Sequence, residues 1–356
     1  MVVQKGEYKP GDLTVYVEID SVLPERPEFE FLRPKNFRVK TMKLNAVTKD
    51  GVKIPIFSQG ICFPVSILPG NVIDPDLPKD MLVGTDVTEF LGIKKYDEYG
   101  DETDDSESDE SKSVVLNAVK SFLFRHRLTR PLASALFSKK DQGSTAFPSI
   151  VSKTDETRIQ SLPHLLDRKD ITLVGREKID GQSGTFILKK APKLFSFSRQ
   201  KYEFIVCSRN KRIPVCDNSS YWRVAEKYKI ESVLKNLIDP DDDWICLQGE
   251  VVGPKIQGNK YKLNDYDLYC FNLITPKGIV PCGIAEDDVA ALGMKWVPLV
   301  YSAYKMPDSV EEVLKDATGQ SALCGDVLRE GIVFRNYEEG ISFKAVSPYF
   351  LIKNDE

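Results

Sequence analysis

Arg176-Glu177-Lys178-Ile179-Asp180-Gly181-Gln182-Ser183-Gly184-Thr185 is the stretch on which the reading of this chain turns. Strand-type residues lead into it from Ile171 and carry on to Leu188, and Asp-Gly is a strong turn signal. The pattern predicts a hairpin, with strands over 171–177 and 185–188 joined at Asp180-Gly181. Lys178 stands two residues before that turn, where an amine can be held as a nucleophile. A surface lysine beside a hairpin turn is the simpler alternative, and a four-residue match occurs by chance. The flanking sequence has to decide.

Outward from this stretch, the pattern from residue 147 to 356 is α+β. Tyr202–Cys207, Trp244–Val252, Leu268–Ile274, Glu330–Phe334 and Ile341–Val346 read as strands. Tyr221–Leu237 has helical spacing, and Asp308–Asp316 reads as a helix capped by Asp308 or Ser309. Residues 1–96 differ. Asp12–Ile19, Phe37–Val47 and Val52–Phe57 are short strand patterns punctuated by Gly and Pro, with one short helix at Asp86–Leu91. They suggest a small β-barrel, with an OB-like fold as one candidate.

Two segments separate these regions. Residues 97–112 carry nine acids and one lysine, a net of −8, with no apolar periodicity. They are expected to be a disordered linker. Residues 113–146 read as a basic helical connector, with Lys120, Arg125, Arg127 and Arg130 interleaved with apolar residues. The chain's net charge is −4, so everything outside the acidic run sums to +4, which suits a polyanionic partner without requiring one. No apolar run approaches membrane-spanning length. The seven cysteines are scattered and none forms Cys-x-x-Cys. With only two histidines, His126 and His164, no zinc cluster is visible. Dispersed thiols fit a reducing compartment, so an intracellular location, cytoplasmic or nuclear, is expected.

A lysine nucleophile would need its pKa brought down from near 10.4, through burial or neighbouring cations. Attack on a phosphate would also need cations for the phosphate oxygens and carboxylates for a metal ion. Suitable residues stand at strand ends. Gln248-Gly249-Glu250-Val251-Val252-Gly253 and Glu330-Gly331-Ile332-Val333-Phe334-Arg335 each place a glutamate there. Ser342-Phe343-Lys344-Ala345 places a lysine on the last strand, and Ser208-Arg209-Asn210 follows an apolar one.

The order Lys-x-Asp-Gly, Gly-Glu, Glu-Gly-Ile-Val-Phe, Phe-Lys resembles that of the covalent nucleotidyltransferases: DNA ligases, RNA ligases and mRNA capping enzymes. One branch is closer. Phe147-Pro148-Ser149-Ile150 with Lys153-Thr154-Asp155-Glu156-Thr157-Arg158-Ile159-Gln160 resembles ATP-dependent RNA ligases that seal 3′-OH nicks and carry an N-terminal OB domain. So do Val206–Asn210, Gly253-Pro254-Lys255-Ile256-Gln257-Gly258-Asn259-Lys260-Tyr261 and Gly84–Tyr96. Twelve residues follow Lys344, whereas DNA ligases and capping enzymes place an OB domain there. Relatives have a further segment ahead of the start of this chain, so an incomplete first barrel strand is expected.

The resemblance implies an α+β adenylyltransferase domain of antiparallel sheets and helices, 147–356, preceded by an OB-like barrel, 1–96. It implies ATP, with Mg²⁺ or Mn²⁺, and a lysyl-adenylate intermediate. Lys178 would be the nucleophile and Lys344 would neutralise the α-phosphate. Asp180, Glu250 and Glu330 would hold the metal, through its waters. Arg158 and Arg209 would contact phosphate or ribose with Asn210 in support, and Gln160 and Glu177 would reach adenine or ribose. Ser183 stands where DNA ligases have an arginine, which Arg209 would replace. The expected partner is nicked RNA or an RNA-containing duplex, bound by a monomer and away from membranes. A DNA ligase, a capping-type enzyme and a non-catalytic OB-fold RNA-binding protein are the alternatives.

Overall fold

The computed structural model describes residues 2–49, 52–68, 82–96, 146–191, 200–216 and 219–354. The acidic run and nearly all of the basic connector lie outside these residues. The chain divides into two compact units, one of residues 1–114 with 351–356, the other of 115–350.

The first unit carries β1 (Thr14–Val17), β2 (Ser21–Val22), β3 (Met42–Lys49), β4 (Val52–Ser58), β5 (Ile61–Pro64) and β6 (Lys94–Lys95). They pair antiparallel as β1–β5, β2–β6 and β3–β4. In β1, Val15 and Val17 point inward on the two-residue period of a strand, and meet Phe29, Leu32 and Phe63 in one core. The expected short helix is α1 (Thr88–Leu91), entered by an Asp86 carboxylate that accepts the Thr88 N–H at 2.9 Å. Gly92, at φ 68°, ends it in the left-handed conformation that glycine adopts without cost.

The second unit holds two sheets. The first strand of the deciding stretch, β7 (Leu173–Lys178), belongs to one of them, and the second, β8 (Gln182–Lys190), to the other. The predicted hairpin is therefore absent, and Ile179-Asp180-Gly181 is a crossing between sheets. Beside β8 lie β9 (Tyr202–Cys207), β10 (Trp244–Val252), β11 (Asp267–Thr275), β12 (Gly278–Ile279) and β13 (Lys295–Trp296). Their order is β12-β11-β10-β8-β9, with β13 parallel to β11. The second sheet adds β14 (Leu299–Tyr304), β15 (Gly331–Asn336) and β16 (Ile341–Val346) in the order β14-β7-β15-β16.

The predicted long helix is two: α2 (Ser220–Lys227) and α3 (Ile230–Leu237), broken at Lys229 with φ 50°. Ile230, Val233, Leu234 and Leu237 recur at helical spacing and place one apolar face on the core of the six-stranded sheet, against residues such as Phe186 and Leu247. Burying each large side chain of this kind contributes about 1.5–3 kcal/mol. After α4 (Cys282–Ala291), α5 (Val310–Ala317) covers the other sheet and packs Val313, Leu314 and Ala317 on Phe334 and Phe343. Ser309 caps α5 by accepting the Glu312 N–H at 3.3 Å, while Glu312 reaches back to the Asp308 N–H. The last described helix is α6 (Pro348–Asn354). Among the described residues, no helix is long and apolar enough to cross a membrane.

Candidate active site

Strand register places the lysines. Gly331 of β15 lies opposite Lys178 of β7, and Val333 lies opposite both Arg176 of β7 and Lys344 of β16. Residues two apart on a strand share a face, so Lys178 and Lys344 project from the same side of the sheet. Glu177, in register with Ile332 and Ala345, projects from the other.

The crossing brings this face to the six-stranded sheet. A Cβ on Gly181 would stand 2.5 Å from the Val251 carbonyl and 2.9 Å from the Glu250 Cγ, so only glycine lets the chain pass there. Ile179 is buried in the core of that sheet, which turns its neighbours Lys178 and Asp180 away from that core. Asp180 is held by its backbone N–H, which donates to the Tyr261 hydroxyl at 2.9 Å.

Four of the expected residues come together here. The Lys178 Nζ donates to both carboxylate oxygens of Glu330 at 2.6 Å, and its side chain keeps 28% exposure. Asp180 pairs with Lys260, a partner not foreseen from sequence, although it sits in the quoted segment after Gly253. Burial pushes the Glu250 carboxyl up to about 8, with the Glu330 and Asp180 charges adding to the rise and Lys178 and Arg209 opposing it. Burial and Glu330 likewise push Asp180 up to about 6 against Lys260 and Lys178. Asp180 and Glu250 are thus pushed above their usual ionisation range, by burial first and by neighbouring acid charge second.

The same acids act on the lysine. Burial alone would depress the Lys178 amine, but Glu330, Glu250 and Asp180 outweigh it and leave its pKa raised. The depressed pKa expected of a nucleophile is thus absent from the protein alone. The acids surrounding Lys178, Glu330 foremost, are the physical reason.

Among the described residues, no three acid, histidine or cysteine side chains stand close enough to ligate one metal ion directly. The donor chemistry nevertheless fits a hydrated hard cation, because three mutually repelling carboxyl groups with oxygen donors are what Mg²⁺ or Mn²⁺ accepts.

A second group lies around Lys344. Its Nζ donates to the Asp155 carboxylate at 3.1 Å, and the Arg209 guanidinium pairs with the same oxygen at 3.4 Å. The Thr157 carbonyl accepts the Lys344 backbone N–H at 2.9 Å, and Arg158 bridges Lys344 through its backbone. Arg158 leads into the single turn Ile159–Ser161, which carries the half-buried Gln160. Asn210 accepts from Lys153 at 3.3 Å. Ser183 and Thr154 are joined hydroxyl to hydroxyl at 2.6 Å. Asp155 had no role from sequence. Its signal was its place between Lys153 and Arg158, but which cations it meets depends on strand register.

Glu177 does not join this face. It is buried, and its carboxylate accepts the Ser321 hydroxyl at 2.5 Å and the Ala322 N–H at 2.8 Å. It ties the loop ahead of Glu330 to β7.

Comparison with known proteins agrees with this geometry. Residues 171–346 match the RNA ligase family model, and residues 1–65 match an OB-fold domain model. Residues 171–346 belong to the RNA ligase family. Its fold is the α+β ligase fold preceded by an OB-fold domain. Solved structures of Naegleria gruberi RNA ligase match nearly the whole of it. A mutant with AMP and Mn aligns at TM-score 0.70 and 26% identity, over 99% of this chain and 89% of that one. A mutant with ATP and Mn gives 0.68 and 26%, over 99% and 90%. The same ligase with PPi gives 0.67 and 26%, over 99% and 90%. No curated protein matches the chain. This RNA ligase therefore has its charged face, built around Lys178 and Lys344, within the family domain.

Proposed function

We propose that this RNA ligase uses ATP to seal 3′-OH/5′-phosphate nicks in RNA through a lysyl-adenylate on Lys178. The observation that carries the reading is the seat of Lys178. An amine projecting from a strand end is held by Glu330 and surrounded by Asp180 and Glu250, on one sheet face with Lys344. The Naegleria ligase structures with ATP, AMP, PPi and Mn support the nucleotide and the metal.

In the first step the Lys178 nitrogen, having lost its proton, attacks the α-phosphorus. A P–N bond forms, the bond to the β-phosphate oxygen breaks, and pyrophosphate leaves. In the second, an RNA 5′-phosphate oxygen takes the adenylyl group and the P–N bond breaks. In the third, the 3′-hydroxyl attacks the RNA phosphorus and AMP leaves. Asp180, Glu250 and Glu330 would hold a divalent cation. Bound there, it would offset their charge, which lets the Lys178 amine lose its proton, and would stabilise charge on the phosphate. Lys344 and Arg209 take the phosphate oxygens, with Arg158 beside them. Gln160 and Asn210 orient the nucleotide. Glu177 acts through the 321–322 loop, which it holds, and not by touching adenine.

Labelled ATP with Mg²⁺ or Mn²⁺ should leave a covalent protein–AMP adduct. An adduct of undiminished yield in Lys178→Ala, or none in the wild type, would sink the reading. Nicked duplexes with RNA or DNA on each side of the break test the substrate, and faster sealing of all-DNA nicks would overturn the RNA assignment. Adduct formation from GTP in preference to ATP would favour a capping-type enzyme.

A further inference from the structure

Asp155 is out of place in a phosphate site. Its carboxylate lies against Lys344 at 3.1 Å and Arg209 at 3.4 Å, the two cations assigned above to phosphate oxygens. A fixed acid among phosphate-binding cations repels the ligand, so its presence needs a reason.

Nor is it a loose surface acid. The segment that bears it is anchored on both sides. Upstream, the Ser152 carbonyl accepts from the buried Gln248 amide at 3.1 Å, and Asn272 donates to Gln248 at 2.8 Å. Downstream, Glu156 accepts from the Arg335 guanidinium at 2.6 Å, and the same guanidinium donates to Asn272 at 2.6 Å. One chain of polar contacts thus runs from Ser152 through both sheets and back to Glu156. The Thr157 carbonyl is pinned by the Lys344 N–H. Asp155 is aimed at its cations by its neighbours, yet its own side chain is 45% exposed, so a ligand can reach the same cations.

We propose that Asp155 is a built-in stand-in for phosphate. In the empty site its carboxylate holds Lys344 and Arg209 together. An incoming phosphate group takes over both cations, and Asp155 reclaims them when pyrophosphate or AMP departs. The residue is a positioning group that keeps the cations ordered and weakens the hold on anionic products. The proposal rests on the ligase reading above.

The stand-in competes with anions, so removing its charge should tighten their binding. Partly exposed ion pairs are individually weak, and two of them set the scale at about three- to ten-fold. In Asp155→Asn the KM for ATP in adduct formation should fall by about that factor, as should the Kd for pyrophosphate measured by calorimetry on the full chain. Asp155→Glu keeps the charge and should stay near wild type. A KM and Kd that rise or do not change in Asp155→Asn overturn the proposal. So does an equal fall in both variants. If the wild type forms no adduct, the ligase chemistry fails, while the pyrophosphate titration still rules on Asp155.

Discussion

The two groups on the site face have opposite electrostatic characters. Around Lys178, three carboxyl groups face two lysines, and burial with the neighbouring acid charge raises the pKa of Asp180 and Glu250. Around Lys344, two cations share one half-exposed acid. The first group is short of positive charge and suits a metal ion; the second has cations to spare and suits a phosphate. On the function proposed above, the difference amounts to a division of labour: each group would be completed by the half of a nucleotide–metal complex that it attracts.

The largest effect should follow from breaking the first group at Glu330. Glu330→Ala removes a carboxylate proposed to hold the metal and the partner of Lys178 together. Adduct formation should fall by about 10²–10³ or more, measured in a single turnover. The same change should lower the Lys178 pKa, since Glu330 is the strongest of the influences raising it. Lys178 should therefore react faster with an acylating reagent near neutral pH, although the enzyme is slower. Loss of activity without that gain in reactivity would mean that Glu330 does not govern the amine.

How much of this contrast was legible in the sequence follows from how local each signal is. β9, β10 and β16 form over the predicted residues because their apolar runs specify them locally. β14 and α4 were not foreseen, although Leu299-Val300-Tyr301 is strand-type sequence. The hairpin at Asp180-Gly181 failed because β7 and β8 choose different partners, and partner choice is a long-range property. The same limit explains the site. Lys178, Asp180, Glu250, Glu330 and Lys344 could be picked out by residue type and order. Lys260 and Asp155 could not be assigned, because their meaning lies in what the fold sets opposite them.

A second test uses pH. Asp180 and Glu250 have folded pKa values of about 6 and about 8, above their ordinary values near 4. The folded state then holds protons that the unfolded chain has already released, so these groups cost stability as pH rises from about 4 to about 8. The raised Lys178 pKa works the other way, but its stabilisation is lost only above the ordinary lysine range, outside this window. Mg²⁺ or Mn²⁺ should therefore raise the melting temperature more at pH 8.5 than at pH 6, and binding should release protons. Chelation by EDTA should abolish adduct formation. Equal metal stabilisation at both pH values would remove the carboxyl group cluster as the metal's seat.

Smaller effects should come from the supports of the second group. Arg335→Met strips Glu156 of its largely buried partner and cuts the contacts to Asn272. Removing one member of such a pair costs about 3 kcal/mol of stability, readable in urea unfolding. It should also free the segment that carries Asp155 and Arg158, so the KM for ATP should move more than the maximal rate. A rate loss at unchanged KM would place Arg335 nearer the chemistry than the structure has it.

The smallest effect separates Glu177 from Lys178, adjacent on β7 but on opposite faces. If Glu177 serves to hold the 321–322 loop, weakening that hold should act on stability and reach the site only through Glu330, nine residues after Ser321. Ser321→Ala leaves one oxygen of a buried carboxylate without its hydroxyl, at a cost of about 1–3 kcal/mol. The Ala322 N–H still holds the other oxygen, so the loop should stay in place and the ATP KM should change by less than about two-fold. A large rise in KM with little loss of stability would instead make Glu177 part of the nucleotide pocket. The two adjacent residues would then serve one ligand from opposite sides of a strand.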